Sequence, residues 1–267
     1  MQGGFIRAFG IKGGIHVFLL RGLEKLHFRP EKDQIIRRIK INKLDEKIYY
    51  RPFSSDIDVI SDFFIERQGK ELQYDINIAS LLKGSRVDYV LDAGANIGLF
   101  TLLYTKKYLP QKIVAVEPDK SNYDVLKKNV KLLSDTNVIL KWGGVWAESS
   151  WLKVIESKMG KWGVTVEECE EKDADVKGYS VIDIMKTESI PYFDIVKMDI
   201  EGSEYYIFSD NRCEEWIKKT KIVIIELHDR KKEGCSEAVM SRMGSLGFVH
   251  ISHGENLVFY RENIEIG

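Results

Sequence analysis

Hydrophobic positions in the 267-residue chain fall into two regimes. Up to about residue 85 they are mixed. A helix is expected from about Ile15 to Leu26, closed by the break Phe28-Arg29-Pro30. Ile35–Ile41 and Lys47–Phe53 read as two strands turning around Asp45-Glu46, and Ser54-Ser55 then caps a further helix start. From Val87 short apolar strands alternate with amphipathic runs. Tyr89–Leu91, Lys112–Val116, Val138–Leu140, Asp194–Ile200 and Ile222–Leu227 are the strands. Ile97–Tyr108, Ser121–Leu133, Ser180–Thr187, Tyr205–Asp210 and Ser236–Leu246 are the helices. Val145–Glu167 looks β-rich, and Phe248–Ser252 with Leu257–Arg261 forms a closing antiparallel hairpin around Gly254-Glu255-Asn256. Such alternation specifies an α/β doubly wound sheet, Rossmann-like, with helices on both faces. The expected division is a helix-and-hairpin (α+β) cap over residues 1–85 and a nucleotide-binding-type domain over 86–267.

Composition narrows the class without naming a substrate. Hydrophobic residues make up 44% and charged residues 30%, enough to bury a core. A net charge of −1 disfavours a general nucleic-acid binder. Only the Arg21–Arg51 stretch is basic, with ten Lys/Arg against five Asp/Glu; it reads as a solvated face or as a surface for an acidic substrate or membrane. Cys169, Cys213 and Cys235 lack paired spacing, which fits a reducing compartment. Ile11–Leu23 is too short and interrupted to span a bilayer, and no signal-peptide cleavage site is evident. The expected location is the cytoplasm; oligomeric state is left open.

Chemistry concentrates at the strand ends. In an open α/β sheet ligands bind beyond the carboxyl ends of the strands. The first strand-to-helix turn, Asp92-Ala93-Gly94-Ala95-Asn96-Ile97-Gly98, supplies close backbone approach and helix amides. Its Gly-x-x-x-Gly spacing differs from the dinucleotide fingerprint. Asp92 would repel a pyrophosphate but suits an amino group or a sulfonium. Glu117 at the second strand tip can accept from both ribose hydroxyls, and Gly144 with Val145 is a candidate adenine contact that Trp142 could also cover. The ligand that suits this set carries positive charge at one end and a ribose at the other; a nicotinamide oxidoreductase is the rival.

Val90–Gly98, Val114–Asp119 and above all Asp194-Ile195-Val196-Lys197-Met198-Asp199-Ile200-Glu201-Gly202-Ser203-Glu204 resemble the FkbM family of methyltransferases. Glu226-Leu227-His228 matches the end of that family's fifth strand, and Tyr50–Asp56 is similar to a segment of members tied to polysaccharide biosynthesis. The resemblance implies a class I methyltransferase fold, S-adenosylmethionine as donor and a hydroxyl, frequently on a sugar or macrolide, as acceptor. It leaves the adenine contacts around Gly143–Trp146 open.

Lys197, Asp199 and Glu201 share strand parity, as do Glu226 and His228, so five ionisable groups are expected at one edge. His228 or Asp199 is the expected general base, with Lys197 keeping the carboxylates ionised or orienting the acceptor. Asp199 and Glu201 are expected at the cofactor's cationic end. A divalent metal on Asp199, Glu226 and His228 is possible but not favoured. The expected partner is a small-molecule or glycan acceptor, with no nucleic acid and no transmembrane segment; recognition is expected in the cap, the acidic stretch Glu167–Asp175 and Trp146, Trp151 and Trp162. Methylation of RNA, protein or lipid, and a non-catalytic cofactor-binding scaffold, are the alternatives.

Overall fold

A computed structural model describes residues 6–10, 13–14, 35–66, 71–133, 137–155 and 163–262. The helix expected over Ile15–Leu26, and Trp162, lie outside the described residues. The elements in chain order are β1 (Arg37–Ile41), β2 (Glu46–Tyr50), α1 (Asp56–Phe64), α2 (Ile78–Leu81), β3 (Tyr89–Ala93), α3 (Leu99–Tyr108), β4 (Lys112–Glu117) and α4 (Lys120–Val130). There follow β5 (Val138–Val145), β6 (Ser150–Ile155), β7 (Thr165–Cys169), β8 (Val176–Tyr179), α5 (Val181–Thr187), β9 (Phe193–Met198), α6 (Glu204–Ser209) and α7 (Cys213–Ile217). The chain closes with β10 (Thr220–Glu226), α8 (Cys235–Ser245), β11 (Val249–His253) and β12 (Asn256–Tyr260). None of the described helices is long and apolar enough to cross a membrane.

The main sheet has ten strands in the order β11-β12-β10-β9-β3-β4-β5-β8-β6-β7. Its centre, β10-β9-β3-β4-β5, is parallel. β12 inserts antiparallel between β10 and β11, so the closing hairpin is part of the sheet. Sequence neighbours run outward from β3 through β4 to β5, whereas β9 and β10 lie on its other side. The order therefore reverses between β3 and β9, which opens a crevice at their carboxyl ends.

β5 continues to Val145 rather than stopping at Leu140, because β8, which has no clear signal in the sequence, pairs with Gly143–Val145. A Cβ on Gly143 would stand 2.3 Å from the Lys177 carbonyl oxygen, so that pairing needs glycine.

The N-terminal hairpin docks on the outer face of this sheet's helices. Ile39, Ile41, Ile48 and Tyr50 are its buried face and join one apolar cluster with Phe100, Leu103 and Tyr104 of α3. This is why α3 is apolar nearly all round: it is covered on both sides. Asn129 of α4 fastens the hairpin by accepting from the Tyr49 amide (2.7 Å) and donating to the Tyr49 and Ile97 carbonyls. β2 ends at Tyr50, short of the expected Phe53, since Pro52 has no N–H for the ladder and Arg51 turns inward. Ser55 precedes α1 without a side-chain cap; the Ser54 hydroxyl accepts from the Asp56 amide instead.

Arg51 is 2% exposed and binds Asp56 through both Nε and Nη2, Ser121 Oγ at 2.6 Å and Asn122 Oδ1 at 2.5 Å. Asn122 in turn donates to Glu117 Oε1. Lysine at position 51 keeps the charge but not the planar fork, and Arg51→Lys is expected to lower unfolding free energy by roughly 1.5–3 kcal/mol, read by urea titration.

Candidate active site

Two cavities flank the turn after β3. The larger, about 330 Å³, reaches from that turn to α1 and the segment around Gln73 and Tyr74. The smaller, about 40 Å³, runs toward Glu117, Gly144 and Val145. Gly94, Asn96, Asp199 and Glu201 line both. The sheet's crossover point thus separates two compartments by one turn of chain.

That turn is held from behind. The Gly94 and Ala95 amides both donate to the Val116 carbonyl, and the Asp199 amide donates to Ala93. Gly94 has φ +76°, and a Cβ there would lie 1.9 Å from the Asp199 carbonyl oxygen. Only glycine permits the β3 and β9 ends to approach this closely. Asn96 adopts φ +51° and its side chain accepts from the Ile97 amide. Gly98 precedes α3 against Leu126, where a Cβ would come within 2.5 Å.

Asp92 differs from its expected place. It is fully buried, accepts from Thr101 Oγ1 at 2.6 Å and sits 3.3 Å from Lys197 Nζ. It lines neither cavity, because β3 parity turns its side chain toward α3 and Lys197. Lys197 donates to the Gly94 and Ala93 carbonyls (2.6 and 3.3 Å) and lies 3.8 Å from Asp199. Burial opposes its charge, but Asp92 and then Asp199 hold its pKa above the ordinary lysine value. It is a strut of the loop with its tip at the cavity.

β9 ends at Met198, so parity does not carry Glu201 to its position. A left-handed turn does, with φ +56° at Glu201 and +103° at Gly202. Glu204 ties that turn by accepting from the Ile200 and Gly202 amides. It also faces His228 Nδ1 at 3.0 Å. His228 Nε2 then stands 3.7 Å from Asp199, 3.7 Å from Glu226 and 3.9 Å from Glu201. The expected group of Lys197, Asp199, Glu201, Glu226 and His228 is brought together. Burial works against the His228 charge, yet the Glu204 hydrogen bond and the surrounding carboxylates push its pKa up to about 9. Burial pushes Glu201 up to about 7 and raises Glu226, Asp199 adding to both.

At the other end Glu117 is buried and accepts from the Asn96 amide (2.7 Å), the Asp119 amide (3.0 Å) and Asn122 (3.3 Å). Burial pushes it up to about 7, against the pull of those hydrogen bonds. Trp142 neither sits in the core nor covers this cavity. It is exposed, stacked on Tyr123, and donates to the Pro118 carbonyl. Trp146 is buried against Tyr206 and Trp151 is exposed; neither lines the two cavities, and no residue of Glu167–Asp175 does.

Three contributors have no role in the sequence reading. Tyr74 and Gln73 come from an irregular segment with no periodicity to mark it. Glu204 was visible only as the last fixed position of the fourth-strand motif.

The family model of the methyltransferase FkbM domain matches residues 92–250, from the β3 turn to β11, more than half of the chain. The chain belongs to the FkbM methyltransferase family. Its sheet has a doubly wound, Rossmann-like strand order, extended at one edge by β8, β6 and β7.

Two curated relatives are also methyltransferases. "Methyltransferase sdnD" of Sordaria araneosa is 52% identical over 44 residues, 16% of this chain and 17% of that protein. "Methyltransferase 1" of Beauveria bassiana (strain ARSEF 2860) is 25% identical over 165 residues, 54% of this chain and 66% of that protein. The chain thus spans 17% and 66% of the length of these relatives. Among solved structures, methyltransferase FkbM from Methylobacillus flagellatus KT is 18% identical, covering 69% of this chain and 48% of that one, with a TM-score of 0.43. The N-terminal domain of human METTL16, in complex with SAH, is 14% identical over 70% of this chain and 68% of that one, with a TM-score of 0.39.

Proposed function

We propose that the FkbM domain transfers a methyl group from S-adenosylmethionine to a hydroxyl of a sugar, glycan or related small molecule. The observation that carries this reading is the pair of cavities meeting at Gly94, Asn96, Asp199 and Glu201. The residues present fit the cofactor. A carboxylate, Glu117, stands where ribose hydroxyls need an acceptor, glycine and valine floor the adjoining space, and two acids occupy the end where positive charge arrives. When bound, the cofactor supplies an activated methyl on a sulfonium.

The chain's own task is then positioning and proton removal. Alignment of two reactants is worth roughly 7–11 kcal/mol. Lys197 holds the loop against β9, and Asp199 faces both cavities from that junction. The two candidate bases, Asp199 and His228, face each other there at 3.7 Å. α1 and the Gln73–Tyr74 segment wall the larger cavity, which supports reading residues 1–85 as an acceptor cap to a domain at 86–267. The three free cysteines accord with a cytoplasmic location.

Calorimetric titration with S-adenosylhomocysteine, with NAD as control, tests the cofactor class. Micromolar binding of the first alone supports the reading and leads to a screen of sugars and lipid-linked glycans for labelled methyl uptake. NAD binding, or no binding by folded protein, overturns it.

The same titration carries a pH signature. Glu117 accepts ribose hydrogen bonds best when ionised, and its raised value near 7 means it is largely protonated at pH 6. Affinity is expected to rise up to about tenfold between pH 6 and pH 8, and Glu117→Gln to flatten that rise.

A further inference from the structure

The mouth of β9 and β10 holds more than proton removal requires. Glu204 is fully buried, and with two backbone amides already on its carboxylate it takes His228 Nδ1 at 3.0 Å. That contact fixes the ring so that Nε2 turns outward. A histidine backed by a carboxylate on one nitrogen and open on the other is the usual arrangement of a metal ligand.

What Nε2 meets has matching geometry. Asp199 Oδ1, Glu226 Oε1 and Glu201 Oε2 stand at 3.7, 3.7 and 3.9 Å. These separations exceed hydrogen-bond length but suit atoms arranged around a shared centre. One ligand atom each from Asp199, Glu226 and His228 all lie within 4.8 Å of one another. The nearest cations are otherwise engaged. Lys197 is anchored on Gly94, Ala93 and Asp92 and approaches only the other Asp199 oxygen. Lys231 lies beside Glu201 and also donates to the Gly163 carbonyl.

An independent observation points to a ligand at the same place. The Tyr74 hydroxyl is buried without a hydrogen-bond partner among the described residues, on a side chain only 2% exposed. Tyr74 lines the larger cavity with Asp199 and Glu226, and theirs are the strongest charges acting on it. Leaving a buried hydroxyl unpaired is costly, so the pocket suits a polar occupant it does not itself provide.

We propose that Asp199, Glu226 and His228 bind a divalent cation of the manganese or magnesium class, with Tyr74 facing its open side. Two carboxylates favour a hard ion and one imidazole is tolerated by it, whereas the group contains no thiolate, among the described residues, to select zinc or copper. The inference rests on reading the larger cavity as the acceptor side: an acceptor oxygen completes the shell there, and Asp199 and His228 then act on the acceptor through the ion.

The test is titration of the whole protein with MnCl₂, followed by calorimetry and by loss of the free-ion paramagnetic signal. Wild type is expected to bind one ion per chain with micromolar affinity. Glu226→Gln and His228→Gln should each weaken it at least tenfold while melting stays cooperative, and Glu233→Gln, on an exposed turn, should bind as wild type. Glu204→Gln tests the backing contact and should weaken binding 10–100-fold. Absence of binding in folded protein overturns the proposal, as does binding that the Glu226 and His228 variants leave unchanged. S-adenosylhomocysteine titrated into the same sample separates the two proposals: its binding without manganese binding removes only the ion, and manganese binding without it removes the methyltransferase reading.

Discussion

Gly94→Ala is expected to reduce S-adenosylhomocysteine affinity by at least a hundredfold. The added carbon would lie 1.9 Å from a backbone oxygen, that of Asp199, with the Asp199 carbonyl carbon at 2.9 Å. Both atoms belong to the Asp199 peptide group, which cannot swing aside as the end of a flexible side chain can. Either the turn or the end of β9 must move, and both cavities change because Gly94 and Asp199 line both. The left-handed φ of +76° adds roughly 1–2 kcal/mol of strain. Gly84 provides the control: its φ is +80°, but nothing lies within 4 Å of where its Cβ would be. Gly84→Ala should show the strain in a melting experiment and leave ligand affinity unchanged. Equal behaviour of the two variants in calorimetry would remove the close approach as the reason for glycine at position 94.

Lys197→Met is expected to lower unfolding free energy by about 3–5 kcal/mol. Lys197 is the cation beside Asp92, whose Oδ1 has no hydrogen bond of good geometry and depends on that charge at 3.3 Å. Methionine fills the same volume but leaves a fully buried carboxylate with only the Thr101 hydroxyl. Adding Asp92→Asn removes the stranded charge, so the double variant should recover part of the loss. A urea double-mutant cycle reads this directly; additive losses would mean that the pair is not coupled.

Much of the site was legible because short-range rules govern it. The Gly-x-x-x-Gly turn, the acid at Glu117 and the Lys197–Glu204 motif lie at ends of strands that periodicity marks well. Side-chain direction was less secure. Lys197 does point to the cavity edge, but Asp92 is held behind the loop, and Glu201 arrives through a left-handed turn that strand parity does not describe. Gly144 and Val145 do line the smaller cavity, but Trp142 is turned away from it for a similar reason. Trp142 and Gly143 belong to a strand lengthened by β8, and β8 is stabilised mainly by partners distant in sequence.

The amino-acid sequence by itself determined the alternating α/β pattern, the closing hairpin, the turn at Gly94 and the family. Each depends on local spacing, glycine conformation or a contiguous motif. Only the tertiary structure decided that Tyr74 and Gln73 wall the larger cavity, that Arg51 reaches Asn122 beside Glu117, and that Glu204 turns His228 toward three carboxylates. Asn122 lies 71 residues from Arg51, His228 lies 24 from Glu204, and Gln73, which donates to Glu226, lies 153 from it. Their geometry is set by how strands stack in the sheet and how the N-terminal hairpin buries its apolar face on α3, which no local period encodes.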